Sequence, residues 1–370
     1  MSNIVFINAL SARMGGGKTY ILNLLNNLPE FEHKIYVVCP DKSLIPDDPR
    51  VIYISTKIAA RSILLRAFWE AFYLPVLLLK LNATVLFVPG GMDFTFFTFR
   101  KPKITMFRNM LPFDKAAISN LPTRRLRLKN YVLKFLMIRT MRSADHVIFI
   151  SRYAKNIVEG QVSLKGSSLI YHGIENSFTP SDAVKVDHEY LLYVSRFEPY
   201  KNHLNLIKAY NELSVSIKMR YKLFIVGELM EPAYSICAKY IEVHGISDFV
   251  VIKGKVPYSE LPKLYNGAAL FVYPSSCENC PNILLEAIGC GAPIAASKCE
   301  PIPEFLNDAG AYFDESDYED IFRCLNEVLL SPALMSSMKK ETRILGAKYS
   351  WEKTAMETWA CLAAQNDNKR

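Results

Sequence analysis

Ser275-Ser276-Cys277-Glu278-Asn279-Cys280-Pro281-Asn282-Ile283-Leu284-Leu285-Glu286-Ala287-Ile288-Gly289-Cys290-Gly291-Ala292-Pro293 is the stretch whose reading decides the fold. Before it runs Ala-Ala-Leu-Phe-Val-Tyr-Pro (268–274), an apolar run short enough to be a buried strand. After it Ile294-Ala295-Ala296 reads as a second strand, closed by Ser297. Between them the residues predict a helix, with Asn279 or Cys280 near the N-cap, Pro281 in the first turn, and Gly289 and Gly291 at the far end. The unit is therefore strand, loop, helix, strand, with Glu278 in the loop and Glu286 inside the helix. Free backbone N–H groups at a helix start favour an anion. A phosphate held beside two carboxylates that accept from sugar hydroxyls suits a nucleotide sugar.

Working outward, the 370 residues give room for two domains, each with its own core. Hydrophobic residues make up 50% and charged ones 22%, which excludes a disordered chain. The eight cysteines include one Cys-x-x-Cys, Cys277 and Cys280, without the second pair a zinc site needs. They read as reduced thiols, with a redox role for that pair as the alternative. Met1 to Ile7 lacks a signal peptide's basic region and reads as a first strand, so a cytoplasmic chain is expected. The net charge is +8, yet Lys101 to Arg142 carries eleven Lys/Arg against Asp114 alone, so the rest is slightly acidic. Such an excess points to an anionic surface or ligand.

Ile4 to Ile7, a Gly15-Gly16-Gly17-Lys18-Thr19 turn and the apolar Tyr20 to Leu25 read as strand, turn and helix. Ala12, four residues and Gly17-Lys18-Thr19 also satisfy a relaxed Walker A pattern, so a P-loop NTPase or kinase competes. No Walker B strand ending in Asp accompanies it. Residues 34–39, 51–54, 85–88 and 104–107 read as further strands. The apolar Ile63 to Leu81 is interrupted by Arg66, Glu70, Pro75 and Lys80, which predicts a buried or interface-lying helix rather than a membrane span. Thr123 to Leu136 predicts a basic helix, with two readings open: a solvated stripe, or docking on an anionic membrane surface. His146 opens the strand through Ile150 and reads as structural. Leu169 to Glu175 reads as a strand running to Gly173, and Asn176 to Glu189 as a linker. In the second half Tyr190 to Val194, Lys222 to Val226 and Val250 to Gly254 read as strands; Gly227 follows the second of them. Strands alternating with helices in both halves give two α/β units with parallel sheets.

Several of these stretches together resemble the retaining GT-B glycosyltransferases of the family 4 type. The C-terminal signature there is Glu, seven residues, Glu, as in Glu278 and Glu286; Asn279-Cys280-Pro281-Asn282 stands where many members have Gly-Phe-Gly. Arg196 ends a strand and Lys201 follows five positions on, before a helix, as in the family. Arg108 replaces the family's cleft His. The resemblance implies a GT-B fold, two Rossmann-like domains with parallel sheets facing across a cleft. The N-terminal acceptor domain would take 1–175 with the returning helix 351–370, and the donor domain 190–350. It implies transfer of a sugar from a UDP- or GDP-sugar to a hydroxyl of a saccharide, with retention; the basic stripe alone suggests a lipid-linked saccharide of bacterial surface polysaccharide synthesis as the acceptor. Arg196, Lys201 and Glu278 would be catalytic, the first two on the leaving diphosphate and Glu278 on the sugar. Glu286 would hold the ribose, with Gly16, Gly17, Gly173, Gly227, Lys255, Val256, Asn282 and Ile283 along the donor and Arg108 on the acceptor side. No cofactor, metal or nucleic acid is implied. The N-terminal strand would place the chain in the cytoplasm, and the basic stripe suggests a peripheral place on the inner face of the cell membrane. A non-catalytic nucleotide-sugar-binding protein would keep the same fold.

Overall fold

The computed structural model describes residues 4–12, 15–30, 34–56, 59 and 61–367. The chain forms two compact units, one of Met1–Phe113, Thr123–Gly173 and Ser350–Arg370, the other of Asp114–Pro122 and Ile174–Tyr349.

Among the described residues the first unit holds a seven-stranded parallel sheet. Its strands are β1 (Ile4–Asn8), β2 (Lys34–Val38), β3 (Val51–Tyr53), β4 (Val85–Val88), β5 (Lys103–Phe107), β6 (His146–Phe149) and β7 (Ser167–Leu169). They lie in the order β3-β2-β1-β4-β5-β6-β7. The second unit holds a six-stranded parallel sheet of β8 (Glu189–Val194), β9 (Tyr221–Val226), β10 (Val250–Gly254), β11 (Leu270–Tyr273), β12 (Ile294–Ser297) and β13 (Ala311–Phe313). Its order is β10-β9-β8-β11-β12-β13. Helices cover both faces of such sheets, so central strands such as β4 and β11 are buried at every position and read as unbroken apolar runs. Strand order reverses between β1 and β4 and between β8 and β11. At such a switch point the loops after neighbouring strands diverge and leave a crevice at the strands' carboxyl ends.

Four expectations are corrected. The strand before Gly173 ends at Leu169, and 170–173 are irregular. The helix of the signature begins at Asn282, not around Cys280. Pro281 sits at its N-cap, and Asn282 N–H turns back to the Cys280 carbonyl at 2.9 Å. Lys103, counted in the basic excess, is buried in β5, where Asp93 (2.9 Å) and Ser143 (2.8 Å) satisfy it. Finally, the helical run 63–80 has two apolar faces: Trp69, Leu74 and Leu78 are buried beside Arg66 and Glu70, which are paired at 2.7 Å, while Leu64, Phe68, Phe72 and Val76 face outward. Pro75 lacks the N–H that would bond back four residues, and the run widens there into one π-helical turn, Trp69–Tyr73.

The helix Trp351–Asp367 is anchored in the first unit. Tyr20 and Thr358 share a hydroxyl bond of 2.9 Å, and Trp359 Nε1 donates to the Leu24 and Asn27 carbonyls at 3.2 and 3.0 Å. Among the described residues no helix is long and apolar enough to cross a membrane.

Candidate active site

The second unit's site grows from the two loops at the β8/β11 switch point. After β8 the chain makes a 3-10 turn, Pro199–Lys201, and Asn202 takes a left-handed conformation (φ 52°) that Asn tolerates better than most residues. After β11 it runs through Pro274 to Glu278. The two loops are laced together: Asn202 Nδ2 donates to the Pro274 carbonyl (2.8 Å), and Ser276 N–H to the Tyr200 carbonyl (2.9 Å). Tyr193 OH donates to the Lys201 carbonyl at 2.7 Å. These bonds fix where Lys201 and Glu278 stand.

Lys201 is buried, and its Nζ forms an ion pair with Glu278 Oε1. Tyr273, the last residue of β11, donates its hydroxyl to the same oxygen at 2.5 Å. The Lys201 ammonium also lies 5.3 Å from the Tyr200 ring centre, on the electron-rich face that attracts a cation. Arg196 is the open member of the set, with a side chain 47% exposed. Its Nη2 donates to Glu198 Oε1 at 2.5 Å, and Glu198 Oε2 accepts from Tyr200 OH. Arg196 and Lys201 thus supply a planar fork of donors and a compact point charge.

Glu286 lies in the helix Asn282–Gly289, whose start has no side-chain cap. Tyr258 and Tyr265 donate their hydroxyls to its two oxygens, each at 3.0 Å. Burial pushes Glu286 up to about 7, against the two tyrosine hydrogen bonds, which pull it down. Burial also raises the pKa of Tyr258, Tyr265 and Tyr273, so all three stay protonated donors. The arrangement is two carboxylates held by tyrosines, beside a lysine, an arginine and a helix start. It can bind polyol hydroxyls and an anion together. Among the described residues no three His, Cys, Asp or Glu side chains are placed to hold a metal ion.

Two family models cover the chain nearly end to end. Glycosyl transferases group 1 matches residues 177–344, and Glycosyltransferase Family 4 matches 14–178. The chain belongs to the family 4 glycosyltransferases. Its two Rossmann-like units with all-parallel sheets are the GT-B fold. Sucrose-phosphate synthase from Thermosynechococcus elongatus superposes with a TM-score of 0.77 over 98% of both chains, at 18% identity. HepE from Anabaena, solved with UDP, gives 0.74 over 98% of this chain and 100% of that one, at 15% identity. In sequence, the chain is 29% identical over 189 residues to the serotype-specific mannosyltransferase WbdA of Escherichia coli, which is 51% of this chain and 23% of WbdA. It is 30% identical over 169 residues to the O-antigen chain mannosyltransferase B of Escherichia coli, 46% of this chain and 44% of the relative. The chain thus spans less than half the length of these curated relatives.

The Gly15–Thr19 turn falls within the span matched by Glycosyltransferase Family 4. In the structure Lys18 Nζ is paired with Asp41 at 2.7 Å. The helix starts at Gly16, so Gly16 and Gly17 form its first turn. A Cβ on Gly17 would sit 3.9 Å from Arg108 Nη1, so Gly17 and Arg108 are brought together; the Arg108 guanidinium also lies 5.4 Å from the Tyr20 ring centre. Gly173 and Gly227 have packing reasons of their own. A Cβ on Gly173 would meet Trp351 N at 2.1 Å, and one on Gly227 would meet the Ser195 carbonyl oxygen at 1.9 Å. Lys255 is exposed and Val256 half-buried, just past Gly254. The cysteines, all within the described residues, form no disulfide, and burial pushes the Cys277 thiol up, away from a reactive thiolate. Sequence reasoning assigns no role to Tyr273 and Tyr265, which hold the two carboxylates; the available signal is a hydroxyl at the end of an otherwise apolar strand, Leu270–Tyr273.

Proposed function

We propose that this glycosyltransferase moves a hexosyl group from a nucleoside-diphosphate sugar to a hydroxyl of a saccharide, with retention at the anomeric carbon and without a metal. The supporting observation is the Lys201–Glu278 ion pair at the switch point, with Arg196 alongside and Glu286 in the following helix. In this reading Glu286 accepts from the ribose hydroxyls and Glu278 from the hexose hydroxyls. As the bond from C1 to the phosphate oxygen breaks, negative charge grows on the diphosphate. Arg196, Lys201 and the Asn282–Ile283 helix start stabilise it more strongly than they stabilise the ground state. The Lys201 ammonium has three donors, so it serves a phosphate while keeping Glu278. The acceptor oxygen bonds to C1 on the face the phosphate leaves, and the leaving phosphate takes the acceptor proton. The mannosyltransferase names of the matched relatives favour a mannosyl donor and a lipid-linked saccharide of bacterial surface polysaccharide as acceptor.

The test is product formation with GDP-mannose and with UDP-glucose, each in EDTA, with the anomeric configuration read by NMR. Calorimetry with the nucleoside diphosphate alone separates the carboxylates: Glu286→Ala loses affinity, whereas Glu278→Ala keeps it and loses transfer. Thr19→Ala keeps transfer. Magnesium-dependent ATP hydrolysis that vanishes in Thr19→Ala, without sugar transfer, refutes the reading.

A further inference from the structure

In the helical run from Ile63 to Lys80 every exposed residue up to Leu79 is apolar or aromatic. Leu64, Phe68, Phe72 and Val76 repeat at four-residue spacing and are 82%, 65%, 66% and 58% exposed. A helix on a soluble surface buries its apolar stripe and turns its charges to water. Here the inward face takes Trp69, Leu74 and Leu78 into the core together with Arg66 and Glu70, and a second apolar face is turned to water. Glu70 accepts from Arg66 Nε (2.7 Å), Asn8 Nδ2 (2.8 Å) and Phe94 N–H (3.0 Å), so the buried charge is fully satisfied. Among the described residues of the unit nothing covers the outward stripe.

The stripe continues onto neighbouring elements. Arg66 Nη2 donates to the Met92 carbonyl (2.9 Å), and Asp93 N–H donates to Thr140 Oγ1 (3.1 Å). These bonds fasten the loop 92–95 between the helical run and the helix Arg124–Ser143. Phe96, Phe97 and Phe99 follow in that loop, all exposed, with the Arg139 guanidinium 4.2 Å from the Phe96 ring centre. On the long helix Leu128, Tyr131 and Phe135 are exposed as well. Its first six residues, 124–129, all face solvent, and four of them are Arg124, Arg125, Arg127 and Lys129. The helix carries no acid.

We infer that this face of the first unit docks on an anionic phospholipid bilayer, with the Phe68/Phe72 stripe entering the acyl boundary and the Arg124–Lys129 turn on the headgroups. Contiguous apolar surface of this kind marks an interaction site rather than ordinary scatter. Charge selects the occupant. A second copy of this chain packed through the same face would set these cations against their own counterparts. An anionic bilayer matches both features, with negative headgroups above an apolar interior. The inference does not rest on the sugar-transfer reading.

Flotation of the full chain with phosphatidylglycerol/phosphatidylcholine vesicles tests it without donor or acceptor. The wild type is expected to float with these vesicles and far less with pure phosphatidylcholine. Arg124→Gln/Arg125→Gln/Arg127→Gln should lower partitioning about 100-fold in low salt. Phe68→Ser/Phe72→Ser should lower it about tenfold per ring and remove whatever binding survives high salt. All five positions are exposed, so the variants should keep the wild-type melting transition. Phe72→Trp gives a second readout, since brominated lipid should quench an indole seated in the acyl boundary. A wild type that stays with the pellet, or an unquenched Phe72→Trp, overturns the inference. So does a lipid-free dimer that Phe68→Ser/Phe72→Ser dissociates, which would assign the face to a second copy.

Discussion

Glu286→Gln separates what this carboxylate does for binding from what it costs the fold. Glutamine keeps the shape, accepts from one of Tyr258 and Tyr265 and donates to the other, but it does not titrate. In the folded protein burial lifts Glu286 from 4.5 to about 7. The folded state therefore holds this proton more tightly than the unfolded chain does. The resulting stabilisation is full below about pH 4.5 and is lost as pH rises through 7. The gap is about 2.5 pH units at about 1.4 kcal/mol each, so by pH 8 the loss is at most about 3 kcal/mol. Glutamine suffers none of it. The variant's margin over wild type should grow from near zero at pH 4 to at most about 3 kcal/mol at pH 8, or roughly 6–12 °C in melting temperature for a unit of this size. Relative to wild type, the variant's affinity for the nucleoside diphosphate should fall over the same range, because the wild type gains a carboxylate for the ribose hydroxyls while the variant keeps a neutral amide. Differential scanning calorimetry at pH 4.5, 6 and 8 measures the first effect and titration calorimetry the second. A stability difference that stays constant with pH, or favours the wild type at pH 8, refutes the assignment of the raised proton affinity to Glu286.

Lys201→Ala strands Glu278 at a site where the two side chains are only 10% and 12% exposed, and should cost about 3 kcal/mol in urea unfolding. The pair Lys201→Met with Glu278→Gln should recover most of that while transfer stays lost. Gly227→Ala and Gly173→Ala should each cost more than about 3 kcal/mol, since their Cβ atoms would fall 1.9 Å from Ser195 O and 2.1 Å from Trp351 N. Gly15→Ala, with open space around it despite φ 54°, should cost about 1 kcal/mol by thermal melt.

Much of the architecture was legible because parallel strands covered on both faces must be continuously apolar. Val85–Val88 reads as a strand from its residues alone, and Leu270–Tyr273 is the buried centre of the run read from 268 to 274. The Glu278/Glu286 spacing and the Arg196/Lys201 pair were visible for a similar reason: chemistry that must meet at one switch point leaves its residues at fixed offsets from strand ends. The partners of these groups were less visible. Tyr265 reaches Glu286 from 21 positions away and Lys201 reaches Glu278 from 77, distances at which sequence carries no geometric signal.

The sequence by itself determined which segments are strands and helices, because backbone preference and apolar period depend on near neighbours. It also determined the family, because the signature residues keep their order and spacing. Only the tertiary structure decided which way those segments face and what they meet. It turned Arg66 and Glu70 inward, where Asn8 and the Phe94 N–H complete their bonding, and so left Phe68 and Phe72 outside. It neutralised Lys103 with Asp93 inside a sheet. It also joined Asp114–Pro122 to the second unit, although both flanking segments belong to the first. Apolar period marks that a helix has two faces; which one is buried depends on whether distant residues can satisfy the polar groups that burial removes from water.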